Sequence, residues 1–121
     1  MTVLIVDDNG SIRRLLREVL SGSASEIWEC SDGAGALAAY RAHRPDFILM
    51  DIHMPQVDGL AATREILRSH PEARVVMVTD YDDEALRAAA RATGACGYIV
   101  KLDMINLPEL LVEMRREMPG V

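Results

Sequence analysis

The chain has 121 residues, of which 50% are hydrophobic and 26% are charged, and its formal net charge is −6. This length and composition indicate one folded domain over residues 1–121, large enough to bury a core of its own. The negative charge argues against a nucleic-acid-binding surface, because phosphate backbones attract basic patches. No apolar run approaches the roughly 20 residues of a membrane helix, and no signal peptide follows Met1. We therefore expect no membrane partner and a cytoplasmic location.

Short apolar runs alternate with helical patterns along the whole chain. In chain order, the pairs are "TVLIV" with "SIRRLLREVLSG", "EIWEC" with "GAGALAAYRAH", "FILM" with "DGLAATREILRSHP", "RVVMVT" with "DDEALRAAARATGA", and "CGYIV" with "LPELLVEMRREM". This alternation predicts an α/β fold of the (βα)5 type, with parallel strands joined by right-handed crossovers. The first, third and fourth runs are apolar without alternation, which indicates central strands covered on both faces. We expect a doubly wound five-stranded parallel sheet of order 2-1-3-4-5, the flavodoxin-like arrangement.

The two cysteines, Cys30 and Cys96, fall at opposite edges of this predicted sheet. Four strand spacings of about 4.8 Å would separate them by roughly 19 Å. A disulfide needs Cα atoms within about 7 Å, so we expect both thiols to be free.

Polar side chains lie where four of the predicted strands end. Asp7 and Asp8 follow the first strand, Asp51 follows the third, Thr79 ends the fourth and Lys101 follows the fifth. In such sheets ligands bind outside the carboxyl ends of the strands, so these groups should converge. Three converging carboxylates require a cation, and oxygen ligands suit Mg²⁺ or Mn²⁺. Acids are also favoured at the start of a helix, which leaves open that one of the first two only caps it.

Lys101 is the one lysine among the 13 basic Lys and Arg residues. Its compact ammonium differs from the planar fork of arginine, which favours a specific role beside a carboxylate. A carboxylate such as Asp51 can act as a nucleophile toward phosphorus and form an aspartyl phosphate. The cation and the ammonium would then offset the charge on the transferring group.

The segments "VLIVDDNGSIRRLL", "ILMDIHMPQVDGLAATREI" and "VVMVTDYDDEALRAAARATGACGYIVK" together resemble the receiver domain of two-component response regulators. The resemblance covers Thr2 to about Met118. It implies that Asp51 is the phosphoacceptor. It also implies a Mg²⁺ site made by Asp8, Asp51 and the main-chain carbonyl of His53, with Asp7 assisting through water.

The same resemblance implies roles for three further residues. Thr79 would bind a phosphoryl oxygen in the active state, Lys101 would pair with the phosphoryl group, and Tyr98 would be the aromatic residue that swings inward with the threonine. The implied partner is a sensor histidine kinase. The segment "TDYDDEALRAAARATGACGYIVK" resembles receivers fused to helix-turn-helix domains, so DNA would be bound only through an output domain that this chain does not contain. A stand-alone regulator and a homodimer through a helical face both remain open.

Three positions depart from the common receiver pattern. Leu102 follows Lys101 where many receivers have a proline after a cis bond, so the geometry of this loop cannot be carried over. Asp80 follows Thr79 where a small residue is common, and it adds negative charge near the phosphoacceptor. Gln56 occupies a position where glycine is frequent.

The main rival interpretation is a phosphatase with an Asp nucleophile, Mg²⁺ and a Lys on a similar sheet. Phosphatases of the haloacid dehalogenase type carry Asp-x-Asp after the first strand and a cap domain, whereas this chain has adjacent "DD" and no room for a cap. A module that keeps only the fold is disfavoured by the intact acidic set, and flavin binding rests on fold alone. We therefore expect a signalling domain whose only chemistry is its own phosphorylation and dephosphorylation.

His53 and Tyr81 lie two residues beyond Asp51 and Thr79, on the loops that would flank an attacking water. Hydrolysis of an aspartyl phosphate needs that water in line with the bond that breaks. Tyr81 should block this path, and a base such as His53 cannot act when its water is excluded. We expect the two side chains to prolong the phosphorylated state; the alternative is that both point into solvent and have little effect.

Overall fold

The computed structural model describes residues 1–117 and contains the predicted alternation of strands and helices. The elements are β1 Thr2–Val6, α1 Gly10–Leu20, β2 Glu26–Cys30, α2 Ala36–His43, β3 Phe47–Met50, α3 Gly59–Ser69, β4 Val75–Thr79, α4 Glu84–Thr93, β5 Gly97–Val100, a 3-10 helix Lys101–Asn106, and α5 Leu107–Glu117. The last residue of the predicted final helix, Met118, and the three that follow it lie outside the described residues.

The five strands form one parallel sheet of order β2-β1-β3-β4-β5, as predicted. β3 and β4 are buried along their full lengths, and β1 is buried from Val3 to Val6. The edge strand β2 alternates between exposed and half-buried residues. The continuous apolar runs therefore mark the strands covered on both faces, as expected for a doubly wound sheet.

The sheet separates two hydrophobic cores. Alternate residues of each central strand belong to different cores, because successive side chains point to opposite faces of a strand. One face carries Leu4 and Ile48, and it packs against α2, α3 and α4 through residues such as Ile66. The other carries Val3 and Leu49, and it packs against α1 and α5 through residues that include Leu16, Leu20, Leu107 and Leu111. Each fully buried aliphatic side chain contributes about 1.5–3 kcal/mol to stability.

Side chains at the helix starts satisfy the free backbone N–H groups. Asn9 caps α1 by accepting from the N–H groups of Ser11 and Ile12, and Asp83 caps α4 in the same way. The alternative that Asp7 or Asp8 caps the first helix is thus wrong. The acids after β1 do not serve as its cap because the helix begins one residue later, at Gly10.

Two segments differ from the sequence-based expectation. α2 begins at Ala36, so the "GAG" that we assigned to the helix is loop. A side chain at Gly33 would place its Cβ 2.4 Å from the carbonyl oxygen of Val57, so this stretch is shaped by a close approach to the following loop. Lys101–Asn106 forms a 3-10 helix where we expected an undefined loop, and every peptide bond in residues 1–117 is trans.

Smaller features agree with the sequence. Gln56, at a position where glycine is frequent, has φ of 68°, in the left-handed region that glycine adopts without strain. Cys30 lies in β2 and Cys96 immediately precedes β5, and both are free, as predicted. Within residues 1–117, no helix combines the length and apolar character that a membrane span requires.

The start of α3 lies directly against the end of β3. The Gly59 N–H donates to the carbonyl of Ile52 at 2.8 Å, and a Cβ at Gly59 would lie 2.0 Å from the carbonyl oxygen of Asp51. No side chain fits there without moving backbone. The helix and the strand end are therefore held at a fixed separation.

We expect Gly59→Ala to lower the free energy of unfolding by about 2 kcal/mol or more, since the added methyl overlaps main-chain atoms. Gly22→Ala is the matched control, because a Cβ there meets no atom within 4 Å. It should leave stability unchanged or raise it by about 0.4–1 kcal/mol through the unfolded state. Urea unfolding of the three proteins measures both effects, and equal midpoints for the two variants would contradict the packing argument.

Candidate functional site

The candidate site lies at the carboxyl edge of the sheet, where four neighbouring strands end. Asp7 and Asp8 follow β1, Asp51 follows β3, Thr79 is the last residue of β4, and Lys101 follows β5. Ligand oxygens of the three aspartates all lie within 4.8 Å of one another. The strand order brings these groups together because β1, β3, β4 and β5 are consecutive in the sheet.

Backbone contacts fix the position of Asp51. Its N–H donates to the carbonyl of Val6 at 2.9 Å, which ties it to the end of β1, and Gly59 presses against its carbonyl from the other side. The residue is 5% exposed. Burial, together with the negative charge of Asp7, raises the pKa of Asp51 to about 6, although Lys101 opposes the shift. At neutral pH the carboxylate is therefore ionised but poorly solvated, a state suited to a nucleophile.

Lys101 is the central cation of the site. Its Nζ lies 3.0 Å from Asp7 Oδ2, 3.4 Å from Asp51 Oδ1 and 3.8 Å from Asp80 Oδ2. Burial alone would lower the pKa of Lys101, but the contacts with Asp7 and Asp51 outweigh it and raise this pKa above its ordinary value. The ammonium thus stays charged and offsets the mutual repulsion of the carboxylates.

Asp7 is held by a set of contacts that the sequence did not reveal. Its Oδ1 accepts from the N–H of Asn9 at 2.9 Å, and its main-chain oxygen accepts from the guanidinium of Arg13 at 2.7 Å. Arg13 also donates to Glu29 of β2 at 2.9 Å. In the sequence, Arg13 is marked only by its position one helical turn after Asn9. This spacing is too common to identify one of the twelve arginines as a site residue.

The acidic groups fit a hard divalent cation. Asp7 Oδ2 is buried, and among residues 1–117 its partner is the Lys101 ammonium, with which it forms an ion pair at 3.0 Å. Asp8 is exposed at the opening of the site. The three carboxylates, whose ligand oxygens lie within 4.8 Å of one another, form the oxygen-rich, anionic donor set that Mg²⁺ binds.

The Thr79 hydroxyl is available to form a hydrogen bond. The residue is fully buried, and its Oγ1 has no hydrogen-bond partner within the described part of the chain. A buried polar group without a partner costs about 1–3 kcal/mol. An acceptor oxygen that entered the site would remove this cost by accepting a hydrogen bond from the hydroxyl.

The loop between β4 and α4 contacts both the site and β5. The Tyr98 hydroxyl donates to the main-chain oxygen of Tyr81 at 2.5 Å, and the Arg87 guanidinium lies 4.5 Å from the centre of the Tyr98 ring. The Tyr81 ring meets the His53 ring edge-on, with centroids 4.9 Å apart. The structure thus joins the two loops that flank Asp51 through an aromatic contact that sequence spacing alone did not predict.

Chemically, the site combines an ionised, poorly solvated carboxylate, a fixed ammonium, a free hydroxyl and an oxygen-rich cation site. This set can accept an anionic electrophile at Asp51 and stabilise the negative charge that such a group brings.

Comparison with known proteins agrees with this chemistry. Residues 3–113 match the family described as the response regulator receiver domain. The chain is 35% identical over 100 residues to the chemotaxis protein CheY of Bacillus subtilis, covering 82% of this chain and 83% of that protein. It is 33% identical over 101 residues to the transcriptional regulatory protein DegU of Brevibacillus brevis, covering 82% and 43%.

A third relative is protein-glutamate methylesterase/protein-glutamine glutaminase 3 of Hahella chejuensis, which is 48% identical over 82 residues, or 67% of this chain. The chain spans only 24% of that enzyme and 43% of the DegU protein. Receiver domains thus occur in relatives with much longer chains, one of which is named as an enzyme.

Solved structures show the same fold. A LuxR-family two-component response regulator from Aurantimonas superposes with a TM-score of 0.87 at 28% identity, covering 93% of this chain and 83% of that one. The CheX–CheY complex of Borrelia burgdorferi with BeF3 and Mg²⁺ gives 0.84 at 27% identity, covering 95% and 89%. The site geometry, the family match and these relatives lead to one conclusion: the chain belongs to the response regulator receiver domain family of two-component signalling.

Proposed function

We propose that Asp51 is the phosphoacceptor of this receiver. The observation that carries the proposal is a buried carboxylate at the end of a central strand, 3.4 Å from the one lysine of the chain and beside two further aspartates. A carboxylate oxygen of Asp51 would attack phosphorus while the bond to the donor's leaving group breaks. Lys101 would then pair with the phosphoryl group, and Thr79 would donate its free hydroxyl to a phosphoryl oxygen.

Asp8, Asp51 and the main-chain carbonyl of His53 would hold Mg²⁺ or Mn²⁺, with Asp7 acting through a water. Asp7 is the least available of the three acids, because one oxygen accepts from Asn9 and the other faces Lys101. When bound, the cation neutralises charge on the transferring phosphoryl group. The oxygen set described above supports this proposal, and Mg²⁺ is a component of the Borrelia burgdorferi complex.

The conformational response would run through Thr79 and Tyr98. The Tyr98 side chain is half-buried, and its hydroxyl donates to the carbonyl of Tyr81, two residues beyond Thr79 on the same loop. Movement of the Thr79 hydroxyl toward a phosphoryl group would shift this loop and release the tyrosine. The two residues thus offer a bistable element next to the phosphoacceptor.

The phosphoryl donor would be a sensor histidine kinase in the cytoplasm, where its ATP is supplied. We propose that the output is transcription through a DNA-binding domain, which the likeness to the LuxR-family regulator supports. The stand-alone alternative is supported by the CheY relatives, of which the chain covers about four fifths. A homodimer through a helical face remains a further proposal. No enzymatic role beyond self-phosphorylation and self-dephosphorylation is proposed.

The decisive test is site-specific phosphorylation. Wild-type protein incubated with Mg²⁺ and acetyl phosphate should gain one labile phosphoryl group, detected by intact mass, and borohydride trapping should locate it at Asp51. Asp51→Asn should lose at least about 90% of the incorporation, since an amide is not a nucleophile toward phosphorus. Equal incorporation in the variant would refute the assignment, and steady turnover of a phosphate monoester would favour the phosphatase alternative.

Metal affinity should separate the three aspartates. We expect Asp8→Asn and Asp51→Asn to weaken Mn²⁺ or Mg²⁺ binding by about tenfold or more, and Asp7→Asn to weaken it less, because Asp7 would act through a water. Isothermal titration of the purified variants measures this order. Asp58→Asn, which changes the same charge at the cap of α3, is the control. The ligand assignment fails if Asp7→Asn is the weakest binder.

The aromatic contact between His53 and Tyr81 should lengthen the life of the phosphorylated state. On the proposal that the half-exposed Tyr81 ring screens Asp51 from water, we expect Tyr81→Ala to lose phosphate about threefold faster or more. The measurement is the decay of phosphoprotein after the phosphodonor is removed. Tyr81→Phe, which keeps the ring, should decay like wild type, whereas an unchanged or slower decay in Tyr81→Ala would rule out occlusion.

A further inference from the structure

A third carboxylate reaches the cation of the site from the solvent side. Asp80 Oδ2 lies 3.8 Å from Lys101 Nζ, and the Asp80 side chain is 69% exposed. Asp7 and Asp51, by contrast, contact the same ammonium from within the protein and are almost fully buried. Asp80 therefore stands between solvent and the ammonium that a phosphoryl group must reach.

The backbone on both sides of Asp80 is anchored. Thr79 is the fully buried last residue of β4, and the Tyr81 carbonyl accepts from the hydroxyl of Tyr98. The Tyr81 ring also packs on His53. Because both neighbours are held, the carboxylate of Asp80 remains at the mouth of the site even though it is exposed.

The other acids of this loop have different partners. Asp82 pairs with Arg87 at 3.0 Å, Asp83 caps α4, and Glu84 lies 3.9 Å from Arg91. Asp80 alone among these four acids contacts Lys101. Asp82 lies two residues from Asp80 and carries the same charge, but it does not contact the Lys101 ammonium. It is therefore a matched control for Asp80.

Two electrostatic effects follow from this position. Asp80 repels an incoming phosphodonor anion, and it shares the ammonium that would otherwise face the transferred group. Both effects grow with the charge of the donor and weaken as salt screens the exposed carboxylate.

We propose that Asp80 is a specificity-determining residue that disfavours small phosphodonors of high negative charge. The proposal rests on Asp51 being the phosphoacceptor. Its consequence is that phosphate reaches this receiver poorly from free acyl phosphates and is better delivered by a donor of lower net negative charge, such as a protein-held phosphorylated imidazole whose ring is protonated.

Two small donors of different charge test the idea. Acetyl phosphate is a dianion near neutral pH, and its P–O bond breaks as Asp51 attacks, so acetate leaves with the electron pair. Phosphoramidate carries one net negative charge, with the nitrogen already protonated, and its P–N bond breaks to release ammonia. Both reactions leave the same aspartyl phosphate, so any difference between them arises from the donor.

The experiment compares phosphorylation rate constants of wild type, Asp80→Asn and Asp82→Asn at saturating Mg²⁺, with both donors, at low and high salt. At low salt, Asp80→Asn should react about fivefold faster with acetyl phosphate and less than about twofold faster with phosphoramidate. At about 0.5 M salt the gain should largely disappear. Asp82→Asn should change the ratio between the two donors by less than about twofold, and Asp80→Glu should behave like wild type.

The outcomes separate this proposal from the proposed function. If wild type is phosphorylated at Asp51 but Asp80→Asn leaves the donor ratio unchanged, or Asp82→Asn changes it equally, the role of Asp80 is refuted. If neither donor phosphorylates wild type, or Asp51→Asn reacts equally well, the proposed function itself fails. A purely structural role of Asp80 would change both donors in parallel and would not depend on salt.

Discussion

The ion pairs between the Lys101 ammonium and the carboxylates around it are the interaction on which the rest of the site depends. Asp7 and Asp51 are almost fully buried, and two such charges side by side would repel each other strongly in a poorly solvated environment. The ammonium, 3.0 Å from one and 3.4 Å from the other, offsets this repulsion. Because Lys101 follows β5 and its carboxylate partners follow β1 and β3, the site requires the four consecutive strands from β1 to β5 in the sheet.

One buried hydroxyl of the site, that of Thr79, leaves its hydrogen-bonding capacity unused in the described part of the chain. Thr79 Oγ1 is buried without a hydrogen-bond partner among residues 1–117, which lowers stability, whereas the equally buried Asp7 Oδ2 is paired with the Lys101 ammonium at 3.0 Å. Under the proposed function, a phosphoryl oxygen would supply the partner that Thr79 lacks, so phosphorylation and stability would be linked. Thr63 Oγ1 on α3 is also fully buried without a partner in the described part of the chain, so unpaired polar groups are not confined to this edge of the sheet.

Much of this arrangement could be read from the sequence, because the signals were local. Apolar runs such as "FILM" define the central strands, and polar residues at the ends of those runs, Asp51 among them, define the edge where they meet. The remaining details depend on tertiary geometry that no local pattern encodes. Asn9 caps α1 in place of the neighbouring acids. Gly59 is required by a main-chain contact with Asp51, and Arg13 reaches the Asp7 carbonyl from the next helical turn. The 3-10 helix after Lys101 likewise follows from how β5 meets α5, since its sequence carries no distinct helix signal.

The close approach of Gly59 to the Asp51 carbonyl has a consequence for motion. With main chain on one side and a hydrogen bond to Val6 on the other, the end of β3 cannot shift without displacing both α3 and β1. The loop after β4, in contrast, is held by side chains: a tyrosine hydroxyl, an aromatic edge and exposed ion pairs. Around Asp51, α3 and β1 are therefore held by main-chain contacts, and the loop after β4 is held by side-chain contacts. If Asp51 accepts a phosphoryl group as proposed, the side-chain contacts could exchange without displacing a helix or a strand, so movement would run toward α4 and β5 more readily than toward α3.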